Sequence, residues 1–347
     1  WPHVAAAVAY MDALRASERT PSNRQAPRRA FYGLMPASIS HEGYSAKPMH
    51  SYWDDFWALT GYDDALDIAA ALGRRADARR FRASRDEFRD DLYASIRAAV
   101  AAHRIDYLPG CAELGDFDPT STTIALSPAG QQAALPRDLL HATFERYWTN
   151  FAARRDHADW KDYTPYEWRT VGTFVRLGWR ERAEQASRFF LRDRRPAGWN
   201  QWAEVVGRDP RESRFIGDMP HGWVASDFIR ATLDRFAYER AADHALVLAA
   251  GVPSAWLDDE GIAIEHLRTA YGSLSYSLKR SGEVLHLHID AGGMQVPPGG
   301  FVLAWPGGGP RGIARLHGRE LPWRGDELRI ATLPADLAIG GAALPVR

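Results

Sequence analysis

Cysteine is almost missing from this chain. Its 347 residues include one, Cys111, so no internal disulfide, redox pair or cysteine-based zinc site can form. An excess of charge is missing too: 43 Lys and Arg against 44 Asp and Glu leave a formal net charge of -1. Without a basic field to gather phosphates, nucleic acid is not an expected partner. No apolar run approaches the roughly 18–20 residues that span a bilayer, and no charged segment followed by an apolar one opens the sequence, so membrane is not an expected partner either. Absent as well are a Gly-rich phosphate loop, an HExxH helix and a Gly-x-Ser-x-Gly elbow, and no cofactor or metal is expected. These absences leave the compartment open.

What is present is enough apolar residue to bury one or two cores, 46% of the chain, together with 13 tryptophans. Aromatic faces are what proteins lay against the C–H faces of sugar rings, although packing is their commoner use. Much of this Trp lies in loop-like segments.

Up to about residue 244 the chain reads as helix, with apolar residues three and four apart and Pro or Gly between segments. Eight helices are expected, near 3–18, 49–60, 62–73, 76–103, 136–154, 165–177, 179–194 and 221–240. Close pairs meet at Gly61 and Gly178, as in antiparallel helix hairpins. Long connections at 19–48, 104–135 and 195–220 carry many of the polar and aromatic residues, and long loops are where function usually sits. From 245 the pattern alternates with period two, at 273–278 and 284–289, with further short strands at 301–305, 313–316 and 328–330. The expected organisation is therefore a mainly α domain over 1–244, a helical toroid with its loops gathered over one end, and a small antiparallel β-sandwich over 245–347.

Three clusters carry candidate chemistry. The first holds His41, Glu42 and Tyr44, then His50, Trp53, Asp54, Asp55 and Trp57. With Pro48 starting a helix, His50 would share a face with Asp54, and the two adjacent carboxylates would project one turn in. Their bland use is to favour a helix N-terminus. The histidines match no ligand spacing and are read as hydrogen-bonding residues.

The second cluster is Trp199, Asn200, Gln201, Trp202 and Glu204, continuing to Asp218 and His221. Indoles stack on a ring, amides pair with hydroxyls, and a carboxylate held among them can activate water. A loop salt bridge from Glu204 to Arg208 or Arg211 is the alternative. The third runs from Tyr163 to Trp168, where Thr164, Pro165 and Glu167 also fit a capping box. Asp116 and Asp118 lack the spacing of a calcium loop and are read as turn and cap residues.

These residues resemble the (α/α)6-toroid glycoside hydrolases, the group that includes glucoamylases, trehalases and α-L-rhamnosidases. The run from Glu42 through Trp53-Asp54-Asp55-Phe56-Trp57 looks like their acid-bearing loop and following helix. Trp199 to Glu204 looks like the base-bearing loop, and His221-Gly222-Trp223 like the start of the last inner helix. The resemblance implies an incomplete (α/α)6 toroid, because such toroids have six helix pairs and about four are counted here; a preceding segment or partner chain would complete it. It also implies an exo-acting, inverting glycosidase on a carbohydrate substrate, with Glu42, Asp54 or Asp55 as acid and Glu204 as base, and a periplasmic or extracellular setting. Inversion asks for carboxyls roughly 6.5–9.5 Å apart. A toroid polysaccharide lyase, using Tyr163, His221 and Asn200, and a non-catalytic sugar-binding module are the alternatives.

Overall fold

A computed structural model describes residues 1–41, 43–157, 159–209, 219–306 and 311–340. The chain divides into two compact units, Trp1–Ala158 and Asp159–Arg347.

The first unit is helical: α1 (Pro2–Glu18), α2 (Tyr52–Ala71), α3 (Arg75–His103), the single turn α4 (Pro119–Thr122) and α5 (Arg137–Asp156). α2 buries Tyr52, Phe56, Leu59, Tyr62, Leu66 and Ala69, and α3 buries Phe81, Phe88, Leu92, Ile96 and Ala99. Each set falls on one helical face, so the two helices close a hairpin over a shared core. The expected break at Gly61 does not occur, since α2 runs straight through it. A glycine inside a helix costs only about 1 kcal/mol, which the apolar face outweighs.

Nor does α2 begin after Pro48. Residues 49–51 are extended, Met49 pairing with Ser38 and Ser51 with Cys111, and those bridges delay the helix to Tyr52. His50 therefore lies before the helix and does not share its face with Asp54. The loop ahead of it is tied down by the buried Arg15, which donates to the carbonyls of Gly33 and Ser84 at 3.3 and 3.1 Å and packs over Phe88. Gly33 has φ +75, and a side chain there would meet the Asp91 carboxylate, so only glycine fits.

The second unit opens with β1 (Asp162–Tyr163), α6 (Trp168–Arg176), α7 (Arg180–Arg192), β2 (Val206–Gly207) and α8 (Gly222–Phe236). Gly178, with φ +77, makes the expected turn between α6 and α7. Two ion pairs one heptad apart, Arg169–Asp227 at 2.6 Å and Arg176–Asp234 at 2.8 Å, hold α6 against α8. Helix gives way to strand at Ala237, earlier than the alternation shows.

Among the described residues ten strands follow: β3 (Ala237–Arg240), β4 (Ala245–Leu248), β5 (Ile262–Thr269), β6 (Gly272–Ser281), β7 (Val284–Ile289), β8 (Phe301–Ala304), β9 (Ile313–Leu316), β10 (Arg319–Leu321), β11 (Glu327–Ile330) and β12 (Ala335–Gly340). They form a six-stranded sheet, β10-β9-β12-β7-β6-β5, and a four-stranded sheet, β11-β8-β4-β3. One apolar cluster takes Leu246, Leu248, Phe301, Leu303, Leu328 and Ile330 from the smaller sheet and Leu274, Leu278, Leu285, Leu287, Leu337 and Ile339 from the larger. The expectation of a wholly antiparallel domain needs one correction: β4 and β8 run parallel. More than fifty residues separate them in sequence, enough chain for the crossover a parallel pair requires.

Candidate functional site

Asp54 and Asp55 are neighbours in opposite surroundings. Asp54 is half-buried in the first turn of α2. Its Oδ2 accepts from the Ser38 hydroxyl at 2.6 Å and its Oδ1 from the Ser40 hydroxyl at 2.7 Å. Asp55 is fully buried; Oδ1 accepts from the Met35 amide at 2.9 Å, and among the described residues Oδ2 has no hydrogen-bond partner. Burial pushes its carboxyl up to about 8. The Met35 bond opposes that rise, and the adjacent Asp54 charge adds to it. Asp55 is thus a protonated group at neutral pH with no surface open to a sugar, whereas Asp54 keeps one.

Around them, Trp53 is buried and meets the more exposed Trp57 edge-on, centroids 5.9 Å apart. His41 is exposed, packs against Trp53 at 5.1 Å, and has Nε2 3.0 Å from the Ser121 hydroxyl. Since that hydroxyl's one proton goes to Asp118 at 2.5 Å, His41 is the donor to it. Asp118 also accepts from the Ser121 amide at 3.0 Å, the cap role expected of it. The Tyr44 hydroxyl donates to Asp116 at 3.1 Å, beside Cys111, whose buried thiol is pushed up to about 12. Among the described residues no His, Cys, Asp and Glu group could hold a metal. A cavity of about 10 Å³ beside Trp53 and Ser121 is large enough for one water but not for a sugar ring. Glu42 lies outside the described residues.

Of the structural and substrate-binding uses open to a hydrogen-bonding histidine, His50 takes the structural one. It is buried and stacked flat on Phe31 at 4.6 Å; Nδ1 sits 2.6 Å from Glu113, and Glu18 is 3.4 Å from Nε2. Burial would lower its pKa, but the Glu113 hydrogen bond and charge, with Glu18 and Asp55, outweigh burial and raise it. This is an internal clamp. Glu113, the residue that makes it, stands 63 positions away and carries no local signal.

In the second unit the Trp199–Glu204 loop splits by burial. Trp199 is 62% exposed and Trp202 6%. Trp202 packs on Trp168 and Phe228 at 5.4 and 4.8 Å, and its indole N–H donates to the Phe190 carbonyl at 3.2 Å. Its faces belong to the core, which corrects its reading as a stacking platform. Tyr163 is likewise buried against Phe189 and Phe190, its hydroxyl on Asp193 at 2.7 Å. Asn200, exposed at φ +51, takes a hydrogen bond from Arg194, and Gln201 is half-buried.

Glu204 is half-buried, and its backbone carbonyl accepts from Thr164 at 2.8 Å. Among the described residues its carboxylate has neither a hydrogen bond nor an ion pair. Arg208 does not pair with it; Arg211 and Asp218 lie outside the described residues. Thr164 caps the turn at 165–167 by accepting from the Tyr166 amide at 3.3 Å, and Glu167 is buried where α6 begins. The His221 ring bonds the hydroxyl of Tyr166, whose ring lies under the Arg169 guanidinium. That grouping joins two segments that the sequence pattern left separate.

The sequence matches no family model. Over 85 residues, 24% of the chain, it is 33% identical to a phosphate acyltransferase of Parasynechococcus marenigrum (strain WH8102), of which the match covers 19%. Among solved structures it is similar to an α-L-rhamnosidase from Dictyoglumus thermophilum, with 10% identity and a TM-score of 0.48, over 82% of this chain and 32% of that one. The chain thus spans under a third of each relative's length, and neither likeness decides the chemistry.

Proposed function

We propose that the chain is part of a glycoside hydrolase acting on an oligosaccharide or glycan, with an incomplete (α/α)6 toroid over 1–244 and a β-sandwich over 245–347. One observation carries the reading. Asp54 is a half-exposed carboxylate held at both oxygens by serine hydroxyls, one turn from the exposed indole of Trp57. A sugar needs an apolar wall and an oriented carboxyl, and glycosidic cleavage needs one such carboxyl as proton donor and another as base or nucleophile. We assign the proton donor to Asp54, since Asp55 has no surface open to a sugar, and the water-activating base to Glu204, whose carboxylate has no hydrogen bond or ion pair among the described residues. The outcome we propose is inversion.

The test is a panel of aryl glycosides with the wild type, Asp54→Asn and Glu204→Gln. We expect cleavage of at least one glycoside by the wild type and loss of more than about 100-fold in either variant, with melting unchanged and the first-formed anomer inverted by proton NMR. An inert wild type, or equal loss of melting and activity, would sink the proposal.

A lyase is the second reading, favoured by the contact of the His221 ring with the Tyr166 hydroxyl, an imidazole and a phenol of the kinds that abstract a proton beside a uronate. It would announce itself by an unsaturated product from a uronate polymer.

A further inference from the structure

Given the glycosidase reading, on which this rests, we infer that Ser38 and Ser40 are positioning residues for Asp54, and that buried Asp55 is the post that fixes the loop carrying them. Two consecutive residues of α2 hold one short loop at three points: Asp55 takes the Met35 amide, and Asp54 takes the hydroxyls of Ser38 and Ser40. The loop is also braced from within. Ser38 exchanges backbone hydrogen bonds with Met49, both 2.9 Å, and its hydroxyl accepts from the Ser40 amide at 2.7 Å. The Ser40 hydroxyl also lies 3.1 Å from the Ser51 hydroxyl, which accepts from it when its proton is turned away from Asp54.

Each oxygen of Asp54 thereby keeps a free lone pair while its plane is set from both sides. Ser40 adopts φ +53, a left-handed conformation that a residue with a Cβ takes only where its surroundings impose it, and such residues gather at functional sites. Asp55 has no surface of its own, so its part is to hold Met35 and with it the approach of Ser38. In this arrangement Asp54 meets substrate and Asp55 does not.

Ser40→Gly separates the two roles of that residue, because glycine relieves the left-handed backbone while removing the hydroxyl. We expect Ser40→Gly to melt no lower than the wild type yet lose about 10- to 100-fold in kcat on the best glycoside of the panel, with KM within about threefold. Ser38→Ala should lose a similar factor, and Ser38→Thr, which keeps a hydroxyl, should recover most of it. Crystal structures of the Ser38→Ala/Ser40→Gly double variant and the wild type read the same claim without substrate: the Asp54 carboxyl should turn out of its wild-type rotamer. Full kcat in both single variants, or an Asp54 that stays in place in the double variant, would overturn the inference. A turned carboxyl with a wild type inert on every glycoside would leave the positioning intact and remove the glycosidase reading instead.

Discussion

The turn around Asp54 and the loop from Trp199 to Glu204 look alike as text, each alternating indole, polar side chain and carboxylate. In the folded protein they are organised by different forces. The first is held by hydrogen bonds that reach back 14 to 20 residues, and of its two carboxyls one is fully buried and the other is not. The second hangs on an apolar anchor, Trp202, and leaves Trp199 exposed and, among the described residues, the Glu204 carboxylate without a hydrogen bond or ion pair. The lesson is that local composition announces a site's materials, whereas burial decides which of them remains available for chemistry.

The comparison breaks most sharply at Trp202. Trp202→Ala should lower stability by about 3–5 kcal/mol, the usual cost of removing a buried aromatic, measured by urea unfolding of the whole chain. A loss under about 1 kcal/mol would mean that Trp202 is not the anchor.

Next comes the pH dependence of Asp55. Its folded value is raised from 3.8 to about 8, so between those values the unfolded chain releases a proton that the folded chain keeps. The stability it contributes is complete below about pH 4 and lost as pH rises through 8, a decline bounded at about 6 kcal/mol. Asp55→Asn keeps an acceptor for Met35 and cannot ionise, so it should flatten that slope; parallel slopes in variant and wild type would place a charged Asp55 inside the fold.

A smaller effect belongs to the His50 clamp. The raised His50 contributes stability that is complete below the ordinary histidine value of 6.5 and lost as pH climbs through the folded value. Glu113 is lowered, since the His50 hydrogen bond and charge outweigh the burial that would raise it. Its contribution is present above 4.5 and lost as pH falls through its folded value. Glu113→Gln should therefore cost about 1.5–3 kcal/mol near pH 6 and less at pH 9, by thermal melts across that range. The smallest effect is expected at Trp199→Ala, within about 0.5 kcal/mol of the wild type. A larger loss there would erase the contrast with Trp202.

Much of the architecture was legible along the chain. Helices at 3–18, 76–103, 136–154 and 179–194, and strands at 273–278 and 284–289, lie where periodicity puts them, because a helix face or a strand face is a local repeat that the core reads directly. β4 was missed for the same reason: all four of its residues are buried, so it shows no alternation, as expected of a strand covered on both faces. The start of α2 was misread because the bridges that delay it come from Ser38 and Cys111, outside its own sequence.

The sequence by itself determined the inventory: two clusters rich in acid and indole, a helical stretch turning into strands, and too little cysteine or net charge for other chemistries. Tertiary structure alone decided that Asp55 is buried and protonated while Asp54 is open, that His50 closes on Glu113 instead of facing a ligand, and that Trp202 is core while Trp199 is surface. These are differences in desolvation and in partners distant along the chain. A residue's neighbours in sequence carry no record of either.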